Sequence, residues 1–467
     1  MRSEHASNGL RPEIGLFSAV TLVVANMIGT GVFTTSGFIM KELADPSAML
    51  LCWVVGGLFA LSGALCYGEL GARFPLAGGE YVYLRESYGR VMAFLSGWIS
   101  LIIGFSAPIA AASIAFATYV GMMGTDAQRA SMNTPLFSST WIVVSPATIL
   151  ACSAIALFSL VHSHSLRFGS RVQNVLTAFK FLLIVSFVAA AFIFGQGTLA
   201  HFDPFPRSGS LFSSQFAVAL IFVSFAYSGW NAAAYIGSEI QNPSRNIPLA
   251  LVSGTVLVIV LYLLLNVVYL YALAPIQMSG VVEIGARAAA ALFGEPGSRL
   301  VAGAIAVGLL SLISAMILAG PRVYYAMARD GVFFRLFGRV TKSHQTPGYS
   351  ILLQAVIAIA MVLTASFEKL LFYIGFTLSL FTMFTVAGLF ILRKRQPQAH
   401  LTYRTWGYPL TPGIFITGNL WIICYSVSSK PAMALFGVGT IVIGLLVYAL
   451  FSYGRIRNEL REKEETD

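Results

Sequence analysis

The sequence predicts an all-α membrane protein of about twelve transmembrane helices: two five-helix repeats of inverted topology, with two helices beyond them. Three observations lead there. Of 467 residues, 57% are hydrophobic and 10% charged, with mean hydropathy +0.78; a soluble domain carries about 25% charged residues. Apolar runs near the ~20 residues needed to cross a hydrocarbon layer recur along the whole chain. Two of these runs, five spans apart, are interrupted by glycine near their middles.

In chain order the expected spans are 14–40, 47–71, 91–122, 140–160, 172–195, 212–237, 248–274, 299–327, 349–366, 369–392, 408–428 and 431–453. The first run begins at Ile14, is long, and reads as a span rather than a removable leader. Two further segments, 80–90 and 277–293, mix aromatic or aliphatic residues with charge and are too polar to span. They read as helices at or near the membrane interface. One follows the second span and the other the seventh, so the two halves match. The expected organisation is a tail at 1–13, a core at 14–395 with repeats over 14–195 and 212–395, two additional helices over 407–453, and a tail at 454–467.

Charge placement orients the chain. With both termini inside, cytoplasmic segments hold Arg2, Arg11, Arg73, the Arg329, Arg335, Arg339 and Lys342 cluster, Arg393 to Arg395, and the basic residues after Tyr453. External segments hold Lys41, Arg129, Arg207, Arg287, Arg299, Lys369 and Lys430. The cytoplasmic side is richer threefold, the bias that sets orientation in a bacterial-type inner membrane. The net charge of +10 thus faces an anionic leaflet rather than a nucleic acid. Cys52, Cys66, Cys152 and Cys424 lie in apolar runs without paired spacing and read as small buried hydrophobes, with no disulfide framework. The histidines read as loop or tail residues, and His162 with His164 is too small a set for a metal site. The spans carry no facing cluster of His, Asp or Glu, so no enzyme, cofactor or metal is expected.

The first span contains Asn26, Met27, Ile28, Gly29, Thr30 and Gly31, and the sixth contains Phe225, Ala226, Tyr227, Ser228, Gly229 and Trp230. Glycine weakens a helix by about 1 kcal/mol relative to alanine and admits close approach. Small-residue helix packing would use the same residues. Their occurrence at matching positions of two halves points instead to a transport site between discontinuous helices. Amides freed at Gly29, Thr30 and Gly31 would open a half-helix and suit a carboxylate. Carbonyls freed near Asn26, Met27, Phe225 and Ala226 would close half-helices and suit an ammonium. Together they would hold a zwitterion, with the hydroxyls of Thr30 and Ser228 in reach.

At these residues the sequence resembles the amino acid–polyamine–organocation transporter superfamily, and within it the L-type and bacterial neutral amino acid exchangers. The pieces are Ile28-Gly29-Thr30-Gly31-Val32-Phe33, Tyr67-Gly68-Glu69-Leu70-Gly71-Ala72-Arg73-Phe74-Pro75, Ala77-Gly78-Gly79-Glu80-Tyr81, Phe225-Ala226-Tyr227-Ser228-Gly229-Trp230-Asn231, the stretch from Glu239 to Pro248, and the stretch from Arg322 to Gly331. The resemblance spans roughly residues 12 to 425. It implies substrate carboxylate on the backbone around Thr30 and Gly31, substrate amine on carbonyls of spans 1 and 6, an aromatic gate at Phe225, and a side-chain pocket shaped by Tyr227 and Trp230. Asn26 is similar to the arginine–agmatine antiporter branch, the sixth-span motif to the neutral branch.

Lys180 lies deep in the fifth span, where an ammonium costs several kcal/mol. The resemblance places it where sodium-coupled relatives hold a cation, bracing span 1 against span 8 near Ser311 or Ser314. It either exchanges a proton during transport or stays charged and replaces sodium; neither role requires sodium. Glu69 and Glu239, at cytoplasmic span ends, read as partners of Arg73, Arg245 or Arg322 in structural or gating ion pairs. The expected function is sodium-independent or proton-coupled transport of small or medium neutral amino acids, because no acid lies near either break in the sequence. A cationic amino acid or polyamine carrier of the same fold is the alternative. The loop from Gly121 to Thr140 contains no cysteine, so no disulfide-linked heavy subunit is expected.

Overall fold

A computed structural model describes residues 10–139, 142–202, 213–281, 283–340, 346–364, 367–397, 401–429 and 431–464. Arg2, Arg207, Lys342 and Lys430, used above for orientation, lie outside the described residues, as do positions 1–9 and 465–467 of the two tails.

The first apolar stretch is two helices, α1 (Leu16–Met27) and α2 (Gly31–Leu43), bent by about 40° where they meet. α3 (Pro46–Arg73), the short α4 (Glu80–Tyr88), α5 (Arg90–Met122), α6 (Pro146–His164) and α7 (Leu166–Phe194) follow. The second half runs through α8 (Ser214–Ala226), α9 (Pro243–Ala272), α10 (Ile284–Ala319), α11 (Pro321–Arg329), α12 (Gly348–Thr364), α13 (Phe367–Arg395), α14 (Leu410–Ser429) and α15 (Pro431–Glu464). Seven stretches are long and apolar enough to cross a membrane, or eight if the bent α1–α2 pair is one span; α8, α12 and the apolar parts of α14 and α15 are shorter. The molecule is a multi-pass membrane protein, all-helical among the described residues apart from one ribbon pairing β1 (Phe137–Ser138) with β2 (Val143–Val144).

Helix starts are written in local chemistry. Asp45 accepts from the Ser47 amide at 2.8 Å, ahead of Pro46 at the first position of α3. Ser145 and Thr148 cap α6 reciprocally, while Ser165 and Ser213 cap α7 and α8. These side chains satisfy amides that lipid cannot. α3 packs along α9, α5 along α10, and α2 against α8, which brings the first and sixth apolar stretches together.

Several expectations change. The fourth span begins at Pro146 rather than 140, because the β1–β2 ribbon consumes the preceding residues. The segment 277–293 is not an isolated interfacial helix: its latter part belongs to α10, which continues across a kink at Gly294 (φ 75°), two residues before Pro296. α4 does not span, and Glu80, Tyr81, Val82, Tyr83, Leu84 and Ser87 on it are buried, packed against α5 and α13. Cys52 and Cys66 are buried, but Cys152 is half-buried and Cys424 exposed; all four are free.

Candidate functional site

α1 stops where the Ile28 amide donates to Val24 O at 2.9 Å. Beyond it the amides of Thr30 and Gly31 make no main-chain hydrogen bond among the described residues, and the Gly29 amide is directed at the Tyr262 hydroxyl. α8 stops where the Tyr227 amide reaches Val223 O (2.9 Å) and the Ser228 amide reaches Phe225 O (3.0 Å); Gly229 then takes φ 95°. The sixth stretch is interrupted at the glycine motif, and its second half is not the regular helix to 237 that the expected span implies. After the break it holds one helical turn at Ala232–Tyr235 and a 3-10 turn at Gly237–Glu239.

The two breaks lie against each other. A Cβ on Gly31 would stand 2.5 Å from Ala226 Cα, and one on Gly229 would stand 2.8 Å from Asn26 O. The buried Tyr262 hydroxyl of α9 lies 2.6 Å from Met27 O and 3.0 Å from Ala226 O, donating its one hydrogen to both broken ends. The Met27 and Ala226 carbonyls, expected to face an ammonium, thus already share one hydrogen, each keeping a second lone pair.

Beside the breaks is a cavity of about 100 Å³. Of the expected binding residues, Asn26, Phe225, Tyr227, Ser228 and Trp230 line it. Met27, Ile28, Gly29, Thr30, Gly31 and Ala226 sit outside that lining; Gly29 faces Leu312 and Gly31 faces Ala226. Trp230 stands edge-on to Tyr67 and Phe415, while the Tyr227 hydroxyl donates to Trp53 O at 3.2 Å. The wall also takes Gly104, Phe105 and Pro108 from α5, around a π-helical stretch at Ser100–Ser106; such bulges recur at functional sites. Phe415 and Asn419 come from α14, a helix beyond the two repeats that sequence reasoning left out of the site.

Lys180 is buried, 2% exposed, and its ammonium donates to Ala25 O (3.2 Å) and Ile28 O (2.6 Å) on either side of the first break. Expected near Ser311 or Ser314, the ammonium bonds neither. Ser311 Oγ meets Gln173 (3.3 Å) and Thr177 (3.2 Å), and Ser314 Oγ meets His162 Nε2 (2.8 Å). The lysine touches α10 through its stem, which passes Gly308. His162, expected in a loop, is buried in the last turn of α6. Its neighbour His164 ends the same helix. No group of three metal-ligating side chains occurs among the described residues.

Both expected acids are paired. Glu239 and Arg322, fully buried, form a two-pronged bridge at 2.7 and 2.8 Å, the geometry that suits guanidinium and carboxylate. Arg245 is exposed and outside that pair. Glu69 takes Arg393 at 2.9 and 2.5 Å and the Thr405 amide at 2.7 Å, with Arg73 at 3.6 Å.

An acid missed by sequence reasoning stands in the cavity wall. Glu80, 3% exposed, accepts from Tyr67 Oη (2.9 Å) and Asn231 Nδ2 (2.6 Å). The premise that no acid lies near a break therefore fails. Burial pushes its carboxyl up to about 7, opposed by hydrogen bonds from Tyr67, Tyr235 and Asn231. The available signal was Gly78-Gly79: their positive φ (115° and 51°) turns the start of α4 inward.

Lipid-crossing helices, a broken first span and a mostly apolar cavity beside the break that holds one carboxylate fit a multi-pass transport protein. The chain belongs to the amino acid permease family, whose model matches residues 14–456. It is thereby a transporter of the amino acid–polyamine–organocation superfamily and not an enzyme. It is 30% identical to the b(0,+)-type amino acid transporter 1 of Mus musculus, covering 97% of this chain and 90% of that one. It is 28% identical to the Homo sapiens protein of that name (96% and 89%). With the Homo sapiens large neutral amino acids transporter small subunit 2 it shares 27% identity (95% and 81%).

Proposed function

We propose that the chain is a secondary active transporter of small or medium neutral L-amino acids, working by alternating access through sodium-independent exchange or proton coupling. The observation that carries this reading is the clamp of both broken ends by Tyr262, beside amides at Thr30 and Gly31 that make no main-chain bond among the described residues. Those amides suit a carboxylate, and Asn26, Phe225, Ser228 and Trp230 bound the space for the rest of the substrate. Lys180 takes the role of a fixed cation at the first break.

The reading includes twelve spans, repeats over 14–195 and 212–395, two added helices over 407–453, an inner-membrane location, cytoplasmic tails at 1–13 and 454–467, and no disulfide-linked heavy subunit. A second reading, a cationic amino acid or polyamine carrier, draws on Glu80 in the cavity wall. It ranks second because Tyr67 and Asn231 already engage that carboxylate.

Counterflow in proteoliposomes against all amino acids and polyamines, at two pH values and with or without sodium, tests both. Neutral amino acids are expected to drive labelled alanine or leucine counterflow without sodium. Sodium dependence, or no amino acid counterflow, would overturn the first reading; competition by arginine and putrescine above neutral amino acids would favour the second.

A further inference from the structure

We propose that Glu80 is the positioning residue of a proton-operated latch, which holds the floor of the cavity shut until its carboxylate is protonated. The inference rests on the transport reading above and adds to it the group that makes opening sensitive to pH.

One oxygen ties three parts of the chain. Glu80 Oε1, at the start of α4, accepts from Tyr67 on α3 and from Asn231 in the turn after α8. Asn231 Nδ2 also donates to Tyr235 Oη at 3.1 Å. The post-break segment is thus held to α3 and α4 directly under Trp230. The same segment is tied by main-chain bonds: the Gly78 amide to Tyr235 O (2.9 Å) and the Ile14 amide to Glu239 O (2.8 Å). The Glu239–Arg322 bridge lies just beyond. Main-chain bonds do not titrate, and arginine keeps its charge. Glu80 differs from them.

Its surroundings carry no countercharge. From α3 it meets the Tyr67 phenol; on its own helix the nearest phenol is Tyr83; from the post-break turn come Asn231 and Tyr235. α13 brings Thr385, which bonds Tyr67, and α5 contributes neutral Phe105 to the same wall. The charges nearby in sequence are engaged elsewhere: Arg85 bridges Glu86 and Asp330, and Tyr81 Oη donates to Asp330 at 2.7 Å. On α11, Arg322 is committed to Glu239, and Arg329 is exposed. Among the described residues Glu80 is the one carboxylate or ammonium lining the cavity.

Hydrogen bonds to an ionised acceptor are roughly twice as strong as neutral ones. With the carboxyl poised at about 7, Glu80 is ionised above that pH, its bonds from Tyr67 and Asn231 are charge-assisted, and the floor is held. Below it one proton enters from the aqueous phase at that end, both bonds weaken, and the post-break turn is released. The proton returns to water when the floor closes at higher pH.

The test is alanine exchange in proteoliposomes, with the pH at the α4 side varied from about 5.5 to 8.5. Exchange should fall roughly tenfold as pH rises through that range, the effect of two weakened bonds. Glu80→Gln should give a flat profile at the low-pH level, and Glu80→Asp should restore a slope. A second readout needs no substrate: in a cysteine-free background, Ala233→Cys is probed with an impermeant maleimide from the α4 side. Labelling, divided at each pH by that of the same protein denatured so that the thiol's own rise in reactivity with pH cancels, should rise at low pH and become independent of pH when Glu80→Gln is added. A flat exchange profile in the unmodified protein, a slope that survives Glu80→Gln, or pH-independent labelling with Glu80 in place would overturn the latch. Absent amino acid exchange with labelling that still steps with pH would instead sink the transport reading and leave the latch standing.

Discussion

Lys180 holds the carbonyls of Ala25 and Ile28, which helix α1 would otherwise leave bare at its broken end. Lys180→Met keeps most of the stem and removes the donor. Each orphaned carbonyl costs about 1–3 kcal/mol, so the thermal midpoint should drop by several degrees and counterflow should fall at least tenfold; wild-type values in both would dismiss the bracing role. The lysine itself was legible in the sequence, because a lone ammonium in an apolar run calls for partners. Its partners were not. Ser311 and Ser314 share a polar helical face, but helix rotation turns them to Gln173, Thr177 and His162. Glu80 escaped for a different reason: flanked by Arg85, Glu86 and Arg90, it looks like part of a solvated strip. Only the turn of Gly78 and Gly79 aims it inward.

At the level of helices, the breaks work through contact as much as through freed backbone. Gly31 sits so close to α8 that an added methyl would overlap Ala226 Cα, a backbone atom that cannot swing aside. Gly31→Ala should therefore push α2 and α8 apart and abolish counterflow, while the purified protein remains monodisperse with a midpoint lowered by only a few degrees. Unimpaired counterflow would show that the apposition is dispensable. The first break was readable from two glycines around a threonine. The length of the sixth was not, because residues 227–240 stay apolar while leaving the helical period. Propensity sees hydrophobicity there, whereas tertiary pairing with Ile14 and Ala77 draws the backbone into bridges.

Across the whole molecule, one end is bolted by ionic pairs that join distant parts of the chain. Arg322–Glu239 is fully buried, and removing one partner of such a pair costs about 3–5 kcal/mol because the other charge is left alone. Arg322→Met should lower the thermal midpoint steeply. Adding Glu239→Gln should recover most of the loss, and failure to recover would mean that Arg322 acts through other contacts. The class, the broken first span and the acidic half of each bolt could be read from composition and pattern. The pairing of Glu69 with Arg393 could not, since it joins residues 324 apart in sequence and α13 must first fold back across α3.

The bridge between Ile14 and Ile240 has a practical corollary. The chain just ahead of the first helix is hitched to the strand-like stretch that trails the sixth, so any swing of that stretch must tug the leading end of the polypeptide. A bulky fusion placed there would drag on every turnover, whereas a small dye near Arg11 would flicker in step with it.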